Sequence, residues 1–156
     1  MKRFMYLLVA LMISQNVLAQ KPFITRWKTD NTGTSNNTSI TIPTTGTGYN
    51  YDVDWNNDGT FEQLGVTGSI THNYGTAGTY TVAIRGAFPR IFFNYTGDGP
   101  KLLSIEQWGD IAWGNMARAF TGCENMVLNA TDVPNTIAVR DMSNMFAGCS
   151  IYNQAL

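Results

Sequence analysis

The chain has 156 residues, of which 44% are hydrophobic and 13% charged, with 10 basic and 11 acidic side chains. This length and apolar content suit one medium-sized domain or two small ones with a hydrophobic core. Apart from Lys2 and Arg3 the basic residues are scattered singly, which excludes the clustered Lys and Arg of a nucleic-acid-binding surface. Low charge with abundant Thr, Asn and Gly is typical of extracellular β-rich proteins and argues against a charged helical bundle.

Residues 1–19 predict a secretory signal peptide. Two basic residues precede an apolar run over residues 4–13, which is too short to span a bilayer easily. The segment Val17-Leu18-Ala19 has small or modest side chains at the two positions that a signal peptidase inspects, so cleavage is expected before Gln20. An uncleaved membrane anchor is the alternative, but polar residues and the cleavage site follow the apolar run directly. We therefore expect an exported protein with no membrane span after cleavage.

Short alternating segments between Phe23 and about Asn94 predict a β-sandwich. β-Branched and aromatic residues recur at period two, and Gly-, Pro- or Asn-rich turns separate the segments. Short strands at roughly ten-residue spacing, uninterrupted by a helical pattern, are typical of sandwiches. The predicted strands cover residues 39–43, 49–55, 68–74, 79–86 and 90–94.

The strand predicted over residues 79–86 has the clearest alternation. Glycines at positions 75 and 78 precede it, and glycine tolerates the positive φ of a tight turn. We therefore expect a hairpin between the 68–74 and 79–86 strands. The expected core face carries Tyr80, Val82 and Ile84, and the opposite face carries Thr79, Thr81 and Ala83.

The segment "DVDWNNDGTFE", residues 52–62, has the spacing of a calcium loop as well as the composition of a turn. Carboxylates, an amide oxygen and a glycine at the sixth place are what a hard cation collects from a short loop. Against calcium, the twelfth place is Gly65 instead of Glu, and strands flank the loop. Asn, Asp and Gly also favour turns, and we favour a turn. A weak calcium site is the alternative, with ligands Asp54, Asn56, Asp58 and Glu62.

No catalytic constellation is predicted. His72 is the single histidine, and no Cys, Asp or Glu stands beside it at metal-ligand spacing. No serine lies in a nucleophile-elbow pattern, so a catalytic triad cannot be assembled. We interpret His72 as a hydrogen-bonded residue at the sandwich edge, and we expect the protein not to be an enzyme and to carry no cofactor other than the calcium considered above.

A repeat begins after Pro100. Residues 111–123 align without gaps to residues 137–149, an offset of 26, with Ile, Ala, Met, Phe, Gly and Cys identical at matching places. A period of 20 to 30 residues with recurring apolar positions predicts a leucine-rich-repeat solenoid. The chain holds about one and a half repeats, whereas about three bury a continuous core. We therefore expect residues 101–156 to begin an incomplete array.

The repeated apolar residues predict a short helical return in each repeat. Met116 and Phe120 lie four apart, as do Met142 and Phe146, so each pair would share one inward face of a helix. Cys123 and Cys149 occupy equivalent places. Export permits a disulfide between them, but we favour a column of two buried thiols because bridge geometry is strict.

The aromatic residues have two interpretations. Exposed rings form platforms for a glycan or a peptide, whereas buried rings pack the core or the joint between domains, which we consider the commoner role. Trp108 and Trp113 fall where the sandwich would meet the repeats, and we expect them to pack in that joint. The tryptophans are Trp27, Trp55, Trp108 and Trp113.

The first half resembles the PKD (polycystic-kidney-disease) type of β-sandwich, and the domain would span residues 23–97. That pattern has a Trp, an Asp-Gly turn, and later a His, a Tyr and a Gly-Thr-Tyr. Two asparagines, Asn56 and Asn57, lengthen the loop relative to the pattern. The matching residues are Trp55, Asp58, Gly59, His72, Tyr74, Gly78, Thr79 and Tyr80.

Residues 101–156 resemble the repeats of BspA-like leucine-rich-repeat bacterial surface proteins. The resemblance rests on Met-Phe-x-Gly-Cys followed by Tyr-Asn-Gln in "NMFAGCSIYNQ". It implies a secreted or cell-surface protein of a Gram-negative bacterium with a non-catalytic role in adhesion or binding of a protein or glycan. The alternative is a carbohydrate-binding accessory module of an exported hydrolase, which would need exposed, coplanar aromatic rings.

Overall fold

A computed structural model describes residues 20–150. The predicted signal peptide and residues 151–156, which carry the Tyr-Asn-Gln motif, lie outside the described residues. The described part of the chain is mainly β, with one short 3₁₀ turn at Gly99–Lys101. The strands are β1 (Phe23–Lys28), β2 (Ser39–Ile42), β3 (Asn50–Asp54), β4 (Gln63–Val66), β5 (Ile70–Asn73), β6 (Thr79–Ala87), β7 (Leu102–Gln107) and β8 (Val127–Leu128).

Two sheets enclose the core, which is consistent with a β-sandwich. The larger sheet is mixed and has the order β4-β3-β6-β1-β7-β8, with all neighbours antiparallel except β7 and β8. The smaller sheet pairs β2 with β5. Apolar side chains of both sheets, such as Ile40 on β2 and Ile84 on β6, belong to one buried cluster.

The strands predicted from alternation are confirmed at β2, β3, β5 and β6. On β6 the core face buries Val82 and Ile84 and half-buries Tyr80, as expected. Ala83 faces the other way and is also buried. It lines a surface cavity together with Asn57 and Phe61, because the loop after β3 folds over the outer face of the sheet.

The hairpin predicted between β5 and β6 is wrong. β5 pairs with β2 in the smaller sheet, whereas β6 pairs with β1 and β3 in the larger one. The glycine-rich turn therefore carries the chain from one sheet to the other. Tyr74 and Tyr80 stack across this turn, with ring centroids 3.6 Å apart. Local turn chemistry indicated a reversal but not the sheet to which each strand belongs.

The strand predicted over residues 90–94 is also wrong. Ile91 and Phe93 are buried as a strand would require, but the backbone turns immediately afterwards. The N–H of Thr96 donates to the carbonyl of Phe93 at 2.9 Å. Positive φ at Asn94 and Tyr95 ends any extended conformation.

The two halves of the chain share one sheet and one core. β7, which follows the predicted domain boundary, pairs along β1 of the sandwich. A buried ion pair lies at the same place: Lys101 Nζ is 3.9 Å from an Asp98 carboxylate oxygen, and both side chains are fully buried. Lys101 Nζ also donates to the carbonyls of Asn36 and Ser39 at 2.7 and 2.9 Å. The joint is therefore held by strand pairing and by a buried polar network.

The predicted helical returns are wrong, since no α-helix occurs in residues 20–150. Each return is instead a series of tight turns. Backbone N–H groups of residues 119, 121 and 123 donate to the carbonyls three residues earlier, and residues 145, 147 and 149 repeat these bonds. Met116 and Phe120 are buried, but Met142 is 45% exposed. We call residues 116–123 and 142–149 the stacked turns.

The stacked turns lie side by side. The N–H groups of residues 116, 118, 120 and 122 donate to the carbonyls of residues 141, 143, 145 and 147. Phe93, Phe120 and Phe146 follow one another inside, with centroid separations of 6.4 and 5.6 Å. Two such copies do not by themselves show a leucine-rich-repeat solenoid.

No helix among residues 20–150 is long and apolar enough to cross a membrane.

Candidate functional site

The loop after β3 is organised by the buried carboxylate of Asp54. One of its oxygens accepts the N–H groups of Asn56 and Asp58, each at 3.2 Å, and the other accepts that of Gly59 at 2.8 Å. Positive φ at Asn57 and Gly59 is what the sequence Asn-Asn-Asp-Gly accommodates most easily. The segment is therefore a tight turn built around one carboxylate.

The same loop brings three acidic side chains together. Oxygens of Asp54, Asp58 and Glu62 lie within 4.8 Å of one another, a spacing that fits a calcium ion with ligands at about 2.3–2.6 Å. Glu62 also accepts the N–H of Trp55 at 3.0 Å, which fixes its direction. Asn56, the fourth predicted ligand, is bonded through its amide to Asp58. These groups fit a cation, and the calcium site stays a prediction.

His72 lies in an aromatic row beside that loop. Its ring stacks on Trp55 at 4.5 Å and meets Tyr74 edge-on at 4.5 Å. Burial lowers the pKa of His72 below its usual 6.5, while the charge of Glu62 acts in the opposite direction. His72 pairs with Ile40 across the smaller sheet, which places it at the sandwich edge as expected. Its ring packs on Trp55 and Tyr74 and makes no hydrogen bond within residues 20–150, so the expected hydrogen bond is wrong.

Cys123 and Cys149 are unbridged, buried thiols in equivalent places of the stacked turns. The thiol of Cys149 donates to the carbonyl of Phe120 at 3.2 Å. Burial raises the pKa of Cys149 to about 11 and that of Cys123 well above its usual value, so both thiols stay protonated and unreactive. Two buried thiols are consistent with the column of small apolar groups that we favour from the sequence, and the choice between that column and a disulfide stays a prediction.

The four tryptophans are buried, at 5% exposure or less, and offer no open platform. Trp108 and Trp113 meet edge-to-face at 5.9 Å, and both pack on Phe23 of β1, at 5.8 and 5.1 Å. They therefore lie at the joint between the sandwich and the repeats, as the packing interpretation expects.

One exposed position on the outer surface of the stacked turns is repeated. Arg118 and Asn144 occupy matching places, both exposed and both at φ +55°. Glu124, Arg140 and Asp141 are exposed nearby in sequence. One pair of equivalent exposed side chains thus lies on two adjacent, hydrogen-bonded backbone segments.

A cleft beside Tyr95 has no counterpart in the sequence-based prediction. Its volume is about 490 Å³, and its walls come from the loop before β2, the turn at residues 95–97 and the first stacked turn. Tyr95 is 68% exposed at its rim. We call it the Tyr95 cleft. "NYTGDG" reads as turn chemistry, and only the stacking of distant segments places an aromatic ring beside it.

No protein-family model, no curated protein and no solved structure matches this chain.

Proposed function

We propose that the chain is an exported, non-catalytic cell-surface protein that binds a protein or glycan through the surface of its stacked turns. The supporting observation is that residues 142–149 repeat the hydrogen bonds and positive-φ places of residues 116–123 and lie beside them. Stacked repeats present equivalent side chains along an extended face, which suits surface recognition. Arg118 and Asn144 are one such pair.

Within this proposal, residues 23–97 are a PKD-like sandwich and residues 101–156 begin a BspA-like leucine-rich-repeat array. The residue pattern around Trp55 and the alternating strands support the first assignment. The 26-residue repeat and its stacked turns support the second. The sandwich then serves as a spacer or cap for the array, and residues 1–19 direct export to the surface of a Gram-negative bacterium.

A carbohydrate-binding accessory module is the second candidate. This candidate requires exposed aromatic rings, and none of the four tryptophans meets that requirement. Tyr95 is the aromatic side chain that stands out among the exposed large apolar residues of the described chain. The candidate therefore depends on the Tyr95 cleft.

Export is tested by expressing the full chain in a Gram-negative host. We expect the product outside the cytoplasm with Gln20 as its first residue, as determined by N-terminal sequencing. A cytoplasmic product that retains Met1 would contradict the proposal.

Binding is tested with the chain from Gln20 to Leu156 on intact cells and on immobilised extracellular-matrix proteins. The double variant Arg118→Glu with Asn144→Asp should lose binding, because it reverses or adds charge on the repeated face. The matched control, Arg26→Glu with Asn37→Asp, changes equally exposed residues of the sandwich half and should bind normally. Equal loss in both variants, or no binding by the unaltered chain, would count against a role for the stacked turns.

A further inference from the structure

Tyr95 is held in place by the glycines of both stacked turns. A Cβ atom added at Gly122 would lie 2.8 Å from a ring carbon of Tyr95, and one at Gly148 would lie 2.7 Å from another. The ring therefore rests on bare backbone and does not enter the core, and 68% of the residue stays exposed. The ring is a fixed aromatic surface at the rim of the Tyr95 cleft.

Tyr95 occupies a turn position at which a side chain is disfavoured. Asn94 and Tyr95 have φ of +49° and +60° and form the centre of the turn closed by Thr96. Glycine is the usual residue at the second central place of such a turn, because an L side chain is disfavoured there. Strained residues cluster at binding sites, where the surrounding structure holds them. Tyr95 is held in this conformation by its contacts with Gly122 and Gly148 and by the bond from its N–H to the Thr121 carbonyl, and most of the residue still faces solvent.

The cleft supplies uncommitted polar groups. The hydroxyls of Thr32 and Thr34 and the carboxylate of Glu124 make no hydrogen bond within residues 20–150 and line the cleft together. Thr96 donates its hydroxyl to the Phe93 carbonyl at 2.7 Å and keeps its acceptor capacity. The hydroxyls of Thr32 and Thr34 can donate to or accept from a ligand hydroxyl, whereas the carboxylate of Glu124 and the committed hydroxyl of Thr96 accept only.

The charge of the cleft further restricts the class of ligand that it can bind. No Lys or Arg is among its described lining residues, and Glu124 is the one charged group. A phosphate, sulfate or acidic sugar would therefore meet a carboxylate without a compensating cation. A neutral, hydroxyl-rich ligand with one apolar face matches a single aromatic ring flanked by hydroxyl groups.

We propose that the Tyr95 cleft binds a neutral saccharide. One face of the sugar ring lies on Tyr95, and the sugar hydroxyls bond to Thr32, Thr34 and Glu124. This inference rests on the proposed function of surface binding, and it names a glycan as the ligand and the Tyr95 cleft as its site.

The test is saturation-transfer NMR and calorimetry on the chain from Gln20 to Leu156, with neutral oligosaccharides of glucose, galactose, mannose and N-acetylglucosamine. We expect transfer to at least one of these sugars. Tyr95→Gly should weaken its binding at least about tenfold. Glycine suits the positive φ at this position, so the variant should keep its fold, which circular dichroism and thermal melting would verify.

Two further variants sharpen the result. Tyr95→Phe keeps the ring and should bind nearly as the unaltered chain does. Ile137→Ala removes a side chain that is 89% exposed elsewhere on the repeats and should have no effect. Absence of binding to every sugar, or equal binding by Tyr95→Gly, would overturn the proposal.

A cationic peptide side chain is the ligand class to be distinguished, because a tyrosine and a carboxylate also attract cations. A lysine-rich peptide serves as the probe. If it binds more tightly than any sugar and Glu124→Gln abolishes its binding, the saccharide assignment is overturned. The proposed function is tested separately: cell-surface binding lost in the Arg118/Asn144 variant but kept in Tyr95→Gly would refute this cleft while the surface role stands.

Discussion

His72 shows how a single residue couples the sandwich edge to pH. It is the one histidine in the chain, and it lies between Trp55 and Tyr74 with Glu62 nearby. Burial disfavours the charged ring, so the folded pKa lies below the unfolded value near 6.5. Between these two pKa values the unfolded chain binds more protons than the folded chain does.

We therefore expect the free energy of unfolding to fall as pH drops through and below about 6.5, because protons bind preferentially to the unfolded state. His72→Gln should lose this part of the slope between pH 7 and pH 5. Urea denaturation at several pH values measures the effect, and NMR titration of the single imidazole gives its pKa directly. A measured pKa above 6.5 in the folded protein would contradict the prediction.

The acidic loop gives a second prediction at the residue scale. Calcium bound to the folded state alone should stabilise it by about 1.4 kcal/mol when free calcium is about ten times Kd. Asp58→Asn should abolish this gain, because it removes one of three converging charges while keeping an oxygen that can accept the Thr60 N–H. The measurement is thermal melting with calcium and with a chelator.

Asp141→Asn is the matched control for that experiment. Asp141 accepts the N–H of Ser143 at 2.8 Å, as Asp58 accepts that of Thr60 at 2.8 Å, but it lies outside the acidic cluster. The calcium response should survive in this variant. No calcium response in the unaltered chain would leave the segment a turn.

At the scale of the elements, the stacked turns depend on glycine at two places. Gly122 and Gly148 combine positive φ with close approach of Tyr95, so a side chain there faces both backbone strain and overlap. The turns are thus specified by backbone geometry as well as by the stacked rings of Phe120 and Phe146. An α-helix requires negative φ at every position, whereas these turns have positive φ at Gly122 and Gly148. The four-residue spacing of apolar residues therefore predicted a helix where turns occur.

Gly122→Ala should destabilise the protein more than Gly46→Ala does. Both glycines have φ of +83°, but a Cβ at Gly46 meets nothing within 4 Å, whereas one at Gly122 lies 2.9 Å from the Tyr95 Cα. We expect a cost of about 1 kcal/mol at Gly46 from φ alone. At Gly122 we expect about 1–3 kcal/mol more from overlap. Chemical denaturation measures both costs, and equal costs would show that the close approach is relieved without strain.

At the scale of the whole molecule, one continuous sheet runs through the joint between the sandwich and the repeats. β1 pairs with β6 on one side and with β7 on the other, and the tryptophans at the joint pack on Phe23. Asp98 accepts the N–H groups of Ser35 and Thr41. Lys101 donates to the carbonyl of Asn36, so the loop before β2 and β2 itself are both hydrogen-bonded to the joint. The two halves should therefore unfold as one cooperative unit.

Lys101→Met should lower the free energy of unfolding by about 3–5 kcal/mol, because it leaves the buried Asp98 carboxylate without its cation. Tryptophan fluorescence and far-ultraviolet circular dichroism should still report a single, coincident transition. Lys28→Met is the control: Lys28 pairs with Asp30 at 3.2 Å on an exposed surface, and its loss should leave the midpoint unchanged. Two separated transitions in the unaltered chain would show that the halves are independent.

The sequence by itself determined the features that depend on local pattern. Alternation located β2, β3, β5 and β6, turn chemistry located the acidic loop at residues 54–62, and the offset of 26 located the two copies that become stacked turns. The alternation and turn signals are local because φ preference and side-chain period act within a few residues, and the repeat is found by comparing two such local patterns.

Only the tertiary structure decided which strand joins which sheet, that turns replace the predicted helices, and that Tyr95 becomes an exposed rim residue beside Gly122. Each of these depends on contacts between segments far apart in the chain, such as the bond from the Tyr95 N–H to the Thr121 carbonyl. Pairing partners are chosen by the burial of whole faces and by the fit of close approaches, which no local pattern encodes.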